Sequence, residues 1–210
     1  AMRRLRDMTA LFQQEKTEFP EDHVLLVNTA HPLIQNLANI NQGSIIQGSG
    51  ESPSTELAKE KGYDQVLWLD ANEYKYIQEV GTMNIFFVID GKVITPATDG
   101  AILKGITRDS ILNILKDKGY QIEERPLAID EVVKAHEVGT LEEVFGSGTA
   151  AVIAHVAKIA YKDKEMVLPP MEERKVGALI KEELDGLRAG TIADERGWVV
   201  PVQSDILVNV

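Results

Sequence analysis

Apolar residues along the chain recur with two different periods, which predicts a mixture of helices and strands. Near the start, spacings of three and four predict helices over residues 2–15 and 32–40. Between them the compact apolar run HVLLVN, residues 23–28, predicts a buried strand. The front of the chain is therefore predicted to be a small α-β-α segment. Residues 41–54 carry three glycines and a run of small polar residues, and they predict a loop at a domain boundary.

The remainder of the chain alternates between the two patterns. A capped helix is predicted to start at Ser54 or Thr55 and to end at Gly62. In MNIFFVIDGKVITP, the pair Asp90-Gly91 predicts a tight hairpin. Other predicted strands are QVLWLD, KYIQEV and residues 120–128, 141–145 and 150–161; other predicted helices cover residues 107–118, 129–138 and 171–187. This mixture predicts the α/β (α+β) fold class.

Composition excludes several kinds of protein. With 210 residues, 44% of them hydrophobic, the chain can bury one large core or two modest ones. A net charge of −11 argues against a nucleic-acid partner, and no apolar run is long enough for a signal peptide or a membrane span. Cysteine is absent, which fits a cytoplasmic location. The four histidines lack the spacing of metal ligands, so no metal site is expected.

Three short elements could carry chemistry. Glu79 stands beside a glycine at a predicted strand end, Gly105 precedes the helix that begins at Thr107, and FGSGTAAV forms a glycine-rich turn at residues 145–152. A helix start and a nest of backbone N–H groups both suit a phosphate. Each element also has a purely structural explanation: a solvated carboxylate, an ordinary capped helix with Arg108 and Asp109 on its surface, and a tight hairpin.

Several stretches together resemble the branched-chain amino acid aminotransferases, which are class IV pyridoxal-phosphate enzymes. They are GYDQVLWLD, YIQEVGTMNIFFVIDGKVITP, ILKGITRDSILNILKDKGYQIEER and LEEVFGSGTAAV, and the resemblance covers about residues 59–202. It implies the large-domain fold of that class, a pseudo-barrel of mixed strands with flanking helices. It also implies pyridoxal 5′-phosphate as cofactor, a branched-chain amino acid and 2-oxoglutarate as substrates, and a possible homodimer.

The resemblance implies a role for particular residues. Glu79 matches the acid that pairs with the pyridine nitrogen, and Thr149 matches a phosphate contact that is shared with the substrate carboxylate. The implied cofactor contacts are Glu79, Thr82, Ile106, Thr107 and Thr149, and the implied substrate contacts are Gly81, Thr149 and Ala150. Lys104 stands where the family usually has proline.

The front of the chain departs from this family. The family's Schiff-base lysine lies in a KxGGNY motif one helix before the VLWLD strand, and counting back leads to Gly43, where no such motif exists. Lys59 and Lys61 lie at a helix end, where exposed lysines are expected, so neither is predicted to replace it. The family's smaller domain and a phosphate-binding arginine also have no counterpart. The resemblance therefore predicts an impaired aminotransferase.

Residues 1–58 instead resemble part of the carboxy-terminal region of the bacterial ninety-kilodalton heat-shock chaperones. VNTAHPLIQNLAN is the most specific stretch. The predicted division is thus a chaperone-like segment at residues 1–58 and an aminotransferase class IV large domain at residues 59–210. The alternative function is a non-enzymatic chimera or interaction protein.

Overall fold

A computed structural model describes residues 22–27, 53–98, 100–162 and 164–200, with backbone only for residues 22–27 and residue 53. The strands are β1 Asp22–Val27, β2 Gln65–Leu69, β3 Ile77–Val80, β4 Asn84–Ile89, β5 Lys92–Thr95, β6 Ile122–Glu124, β7 Leu141–Ser147, β8 Ala154–Tyr161 and β9 Lys164–Val167. The helices are α1 Pro53–Glu60, α2 Ile106–Asp117, α3 Ile129–Glu137 and α4 Val176–Ala189, with a 3-10 turn at Met171–Glu173. Within the described residues, none of these helices is long and apolar enough to cross a membrane.

One sheet contains all of these strands, in the order β3-β2-β1-β8-β7-β4-β5-β6, with β9 paired to β8. β1 is parallel to both of its neighbours, and β5 is parallel to β6; the other pairs are antiparallel. At the β3 edge the Ile77 N–H donates to the Leu127 carbonyl at 2.9 Å, and Tyr76 bridges Ala128. Because Leu127 and Ala128 follow β6, the sheet curves until its two edges meet. The predicted α/β fold with a mixed, barrel-like sheet is confirmed.

The sheet separates two apolar cores. One joins β2, β4, β7 and β8 to α3, with Leu67, Phe87, Val144 and Val132 fully buried. The other packs α2 and α4 against the opposite face, where the rings of Phe86 and Phe145 stack with centroids 5.1 Å apart. Burial of large side chains on both faces stabilises the sheet, and with it the positions of the residues at its strand ends.

Several of the predicted turns, strands and helices agree with the structure. Asp90 and Gly91 both have positive φ, 51° and 71°, and they join β4 to β5 as the predicted hairpin. The strand predicted at residues 23–28 is β1. The helix predicted from residue 171 begins only at Val176, because a 3-10 turn precedes it. β9 was not predicted.

The front segment is described only in part. The predicted helices over residues 2–15 and 32–40, and most of the predicted loop at residues 41–54, lie outside the described residues. β1 comes from this segment, yet it lies within the sheet between β2 and β8. The division near residue 58 stays a prediction.

Candidate functional site

Glu79 is fixed by its neighbours at the end of β3. Its Oε1 accepts a hydrogen bond from the Leu103 backbone N–H at 2.9 Å and lies 3.4 Å from Asn84 Nδ2. Asn84 Nδ2 also donates to the Leu103 carbonyl at 2.8 Å, and Asn84 is only 5% exposed. Asn84 therefore links the Glu79 carboxylate to the segment that leads into α2.

The approach to α2 is close enough to require a glycine. A Cβ on Gly105 would lie 2.3 Å from Asn84 Oδ1, far inside van der Waals contact. Gly105 has φ −66° and ψ 134°, so its extended backbone suits any residue and only the space is restrictive. By helix geometry, the N–H groups of Ile106 and Thr107 in the first turn have no acceptor within the helix. These N–H groups therefore lie next to the Asn84–Glu79 pair, at the start of α2.

The glycine-rich turn after β7 lies against this helix start. The Thr107 hydroxyl donates to the Gly148 carbonyl at 3.4 Å. The Gly148 N–H donates to the Ala151 carbonyl at 3.1 Å, which closes the turn, and Thr149 and Ala150 are exposed at its tip. The turn thus presents Thr149 at the end of the sheet where α2 begins.

Gly81 and Thr82 form the tight turn between β3 and β4. Val80 and Met83 exchange two backbone hydrogen bonds across it, and Gly81 has φ 56°. The Trp68 indole N–H donates to the Gly81 carbonyl at 3.0 Å. This turn also contacts the glycine-rich turn, because the Met83 side chain would lie 3.2 Å from a Cβ on Gly148.

The structure thus brings the predicted site residues together at one end of β3, β4 and β7. Their contacts with a cofactor or substrate stay predictions. Two neighbouring residues escaped the sequence analysis: Asn84, which orients Glu79, and Ser147, which is 2% exposed at the end of β7. An asparagine that opens the apolar run NIFFVI is a signal that could have been noticed.

Arg108 is not the surface residue that its position in the first helical turn suggested. It is only 5% exposed, and its Nη2 donates to the Pro96 carbonyl at 2.9 Å and to Glu124 at 2.8 Å. It forms part of the wall of a cleft of about 740 Å³ that runs along α2 from Lys104 to Lys116. Arg108 therefore ties α2 to β5 and β6. Asp109 is exposed, as predicted.

A curved mixed sheet with an anchored carboxylate, a helix start and a glycine-rich turn at one end has the elements of a phosphate-cofactor protein. The family model described as amino-transferase class IV matches residues 55–159, half of the chain. The chain belongs to the class IV aminotransferase family.

Branched-chain aminotransferases are among its relatives. A probable branched-chain-amino-acid aminotransferase of Staphylococcus epidermidis is 50% identical over 145 residues, which are 69% of this chain and 40% of that protein. The structure of the branched-chain amino acid aminotransferase from Escherichia coli superposes with a TM-score of 0.59 at 28% identity, over 85% of this chain and 57% of that one.

A Brucella abortus aminotransferase bound to the cofactor PLP shares the fold at 21% identity, with a TM-score of 0.55 over 78% of this chain and 55% of that one. The chain spans about 40% of the length of the curated relatives it matches.

Proposed function

We propose that this chain forms the cofactor-binding part of a branched-chain amino acid aminotransferase site, and that it binds pyridoxal 5′-phosphate without a covalent link. The observation that carries the proposal is the anchoring of Glu79 to Leu103 and Asn84. These contacts hold a carboxylate at the same end of the sheet as a helix start and a glycine-rich turn.

Glu79 would pair with the pyridine nitrogen. The hydrogen bonds from Leu103 and Asn84 both reach Oε1, so within the described residues Oε2 remains available to accept from a protonated ring nitrogen. Asn84 fixes the orientation of the carboxylate. When bound, the cofactor supplies a ring that withdraws electrons from the substrate α-carbon, and a carboxylate beside the ring nitrogen keeps that nitrogen protonated.

Phosphate binding would use donors from two elements. The N–H groups of Ile106 and Thr107 lie at the positive end of the α2 dipole, and the Thr149 hydroxyl adds a side-chain donor. The Thr107–Gly148 hydrogen bond keeps the two elements adjacent. Two further features at this end of the sheet are consistent with a bound group. The buried Ser147 hydroxyl has no partner among the described residues, and the space at Gly105 is too small for a Cβ.

The substrate side of the site would be formed by the two turns at the sheet end. The N–H groups of Thr149 and Ala150, at the exposed tip of their turn, would receive the substrate carboxylate. Gly81 and Thr82 would line the pocket from the β3–β4 turn. A branched-chain amino acid and 2-oxoglutarate are the proposed substrates, and a homodimer is the proposed assembly.

Catalysis is proposed to be impaired. The sequence has no lysine between Lys16 and Lys59, the region in which the family's covalent lysine would fall. Transamination needs such an amine to move a proton at the substrate α-carbon, and in the family the same amine also links the cofactor covalently. The other proposed groups bind and orient the cofactor but do not replace that amine.

Titration with pyridoxal 5′-phosphate, followed by Trp68 and Trp198 fluorescence, tests the proposal. We expect saturable binding that Thr149→Val weakens about tenfold, since a hydrogen bond to a charged group is removed. Thr191→Val, an exposed threonine at the end of α4, is the matched control and should bind as the unchanged protein does. Absence of saturation at millimolar cofactor would refute binding.

Two further measurements examine the impairment. Dialysis should remove the cofactor, and borohydride treatment should leave no adduct on the protein mass. Amino transfer between leucine and 2-oxoglutarate should not exceed the rate with cofactor alone. A protein-dependent rate above that background would overturn the proposed impairment.

The second candidate is a non-enzymatic protein whose front segment, the chaperone-like residues 1–58, serves as a structural or interaction element. It is favoured by β1, which this segment contributes to the sheet between β2 and β8. This candidate predicts that the chain binds no cofactor but folds cooperatively. The cofactor titration therefore distinguishes the two candidates.

A further inference from the structure

Ser147 has a buried hydroxyl without a hydrogen-bond partner. It is the last residue of β7 and is 2% exposed. Its Oγ has no hydrogen bond to any described residue. A buried hydroxyl normally finds a partner, because leaving it without one sacrifices its hydration. The missing partner is therefore a group that is not among the described residues.

The register of the sheet gives the direction of this hydroxyl. Ser147 is directly opposite Asn84 in the antiparallel pair of β7 and β4. Side chains of directly opposed residues lie on the same face of a sheet. The Asn84 side chain on that face contacts Glu79 and the Leu103 carbonyl. The Ser147 hydroxyl therefore faces the same side as the anchored carboxylate.

The residue that follows Ser147 touches the helix start. The Gly148 carbonyl accepts the Thr107 hydroxyl at 3.4 Å. Ser147 thus lies opposite Asn84 of β4, which contacts Glu79 of β3, and it adjoins the first turn of α2 through Gly148. The N–H groups of that turn are donors, so the ligand they suit is an anion.

We propose that Ser147 is a further ligand-binding residue, whose hydroxyl donates to an anionic oxygen held at the start of α2. Under the proposed function, on which this inference rests, the anion is the phosphate of pyridoxal 5′-phosphate. The hydroxyl is buried before the ligand arrives, so it loses little hydration on binding and is already oriented by β7.

The test compares two buried hydroxyls. Thr95 is fully buried and donates to the Ile85 carbonyl at 2.8 Å, so its hydroxyl already has a partner within the protein. Ser147→Ala should weaken binding of pyridoxal 5′-phosphate and of inorganic phosphate about tenfold, while the melting temperature of the ligand-free protein is kept or raised. Thr95→Val should lower the melting temperature and leave both affinities unchanged.

Each outcome decides a separate point. Unchanged affinities in Ser147→Ala, with the unchanged protein binding normally, would overturn the role of Ser147 and leave the proposed function intact. A melting temperature that falls as in Thr95→Val would also overturn it, since the hydroxyl would then have a partner inside the fold. Phosphate binding that is weakened by Ser147→Ala, without any cofactor binding, would support the anion contact and refute the proposed function. Absence of binding to both ligands in the unchanged protein would overturn both.

Discussion

Gly105→Ala changes the site through a single contact. The backbone at Gly105 is extended, with φ −66°, so an alanine there carries no conformational strain. Replacing a glycine under such conditions ordinarily stabilises a protein by about 0.4–1 kcal/mol, because the unfolded chain loses freedom. Here the new Cβ would lie 2.3 Å from Asn84 Oδ1. The sign of the effect therefore depends on whether Asn84 can keep its position.

The geometry predicts that it cannot. Restoring an ordinary contact requires a movement of about 1 Å, and Asn84 is buried and held by Leu103 and Glu79. Displacing its amide removes two hydrogen bonds of about 1 kcal/mol each. After the ordinary benefit of about 0.4–1 kcal/mol is subtracted, we expect Gly105→Ala to lower the free energy of unfolding by about 1–1.6 kcal/mol.

A double-mutant cycle identifies the cause. Asn84→Ala alone should cost about 2 kcal/mol, since it removes the same hydrogen bonds. If crowding by the Asn84 side chain is responsible, Gly105→Ala regains its ordinary benefit of about 0.4–1 kcal/mol in the Asn84→Ala background. The double variant then loses about 1–1.6 kcal/mol, whereas independent effects would add to about 3–3.6 kcal/mol. Urea unfolding followed by far-ultraviolet circular dichroism measures all four proteins. Additive losses would refute the contact, and a stabilised Gly105→Ala would refute the tight approach itself.

Two other substitutions test buried or anchored charges. Burial raises the pKa of Asp70, but hydrogen bonds from four backbone N–H groups in the turn at residues 72–76 together lower it by more. The pKa of Asp70 is therefore below its ordinary value. Its ionised form then contributes stability that is present above about pH 4 and is lost as the pH falls through the lowered pKa. Asp70→Asn should therefore lower the free energy of unfolding by about 1 kcal/mol at pH 7 and leave it unchanged in acid. An equal loss at pH 2 would contradict this explanation. In urea unfolding, Arg108→Met should lower the free energy of unfolding by about 2–3 kcal/mol, because the acceptors at Pro96 and Glu124 lose their donor. The control is Lys104→Met, at an exposed position nearby, which should change it by less than about 0.5 kcal/mol. Equal effects of the two substitutions would argue against a stabilising role of the buried Arg108 hydrogen bonds.

Sequence reasoning succeeded for features that neighbouring residues determine. The hairpin at Asp90 and Gly91 was predictable because few residue pairs accept positive φ at both positions. The end of α2 was predictable for a similar reason, since Gly119 has φ 78° just after the helix. β9 was missed because Lys164–Val167 is short and only Met166 is buried, which leaves too little apolar pattern.

Non-local contacts explain the remaining differences. Nothing in residues 23–28 alone indicates that β1 lies between β2 and β8, because parallel pairing joins segments that are distant along the chain. The structural explanation that placed Arg108 on the helix surface is wrong, because its partners at Pro96 and Glu124 are distant from α2 along the chain. The resemblance supplied the convergence of Glu79, Thr107 and Thr149 at one end of the sheet, but not the asparagine that anchors the first of them.

Under the proposed function, cofactor binding and catalysis depend on different groups. Glu79 is positioned by Asn84 and Leu103, and the glycine-rich turn is positioned by Thr107; none of these contacts involves a lysine. The proposed lack of a covalent amine therefore leaves the geometry of the proposed binding elements unchanged. It follows that cofactor affinity should respond to Asn84, Ser147 and Thr149, whereas amino transfer should remain absent whatever that affinity is. A variant that bound more tightly and thereby gained amino-transfer activity would contradict this separation, because it would show that affinity alone had been limiting.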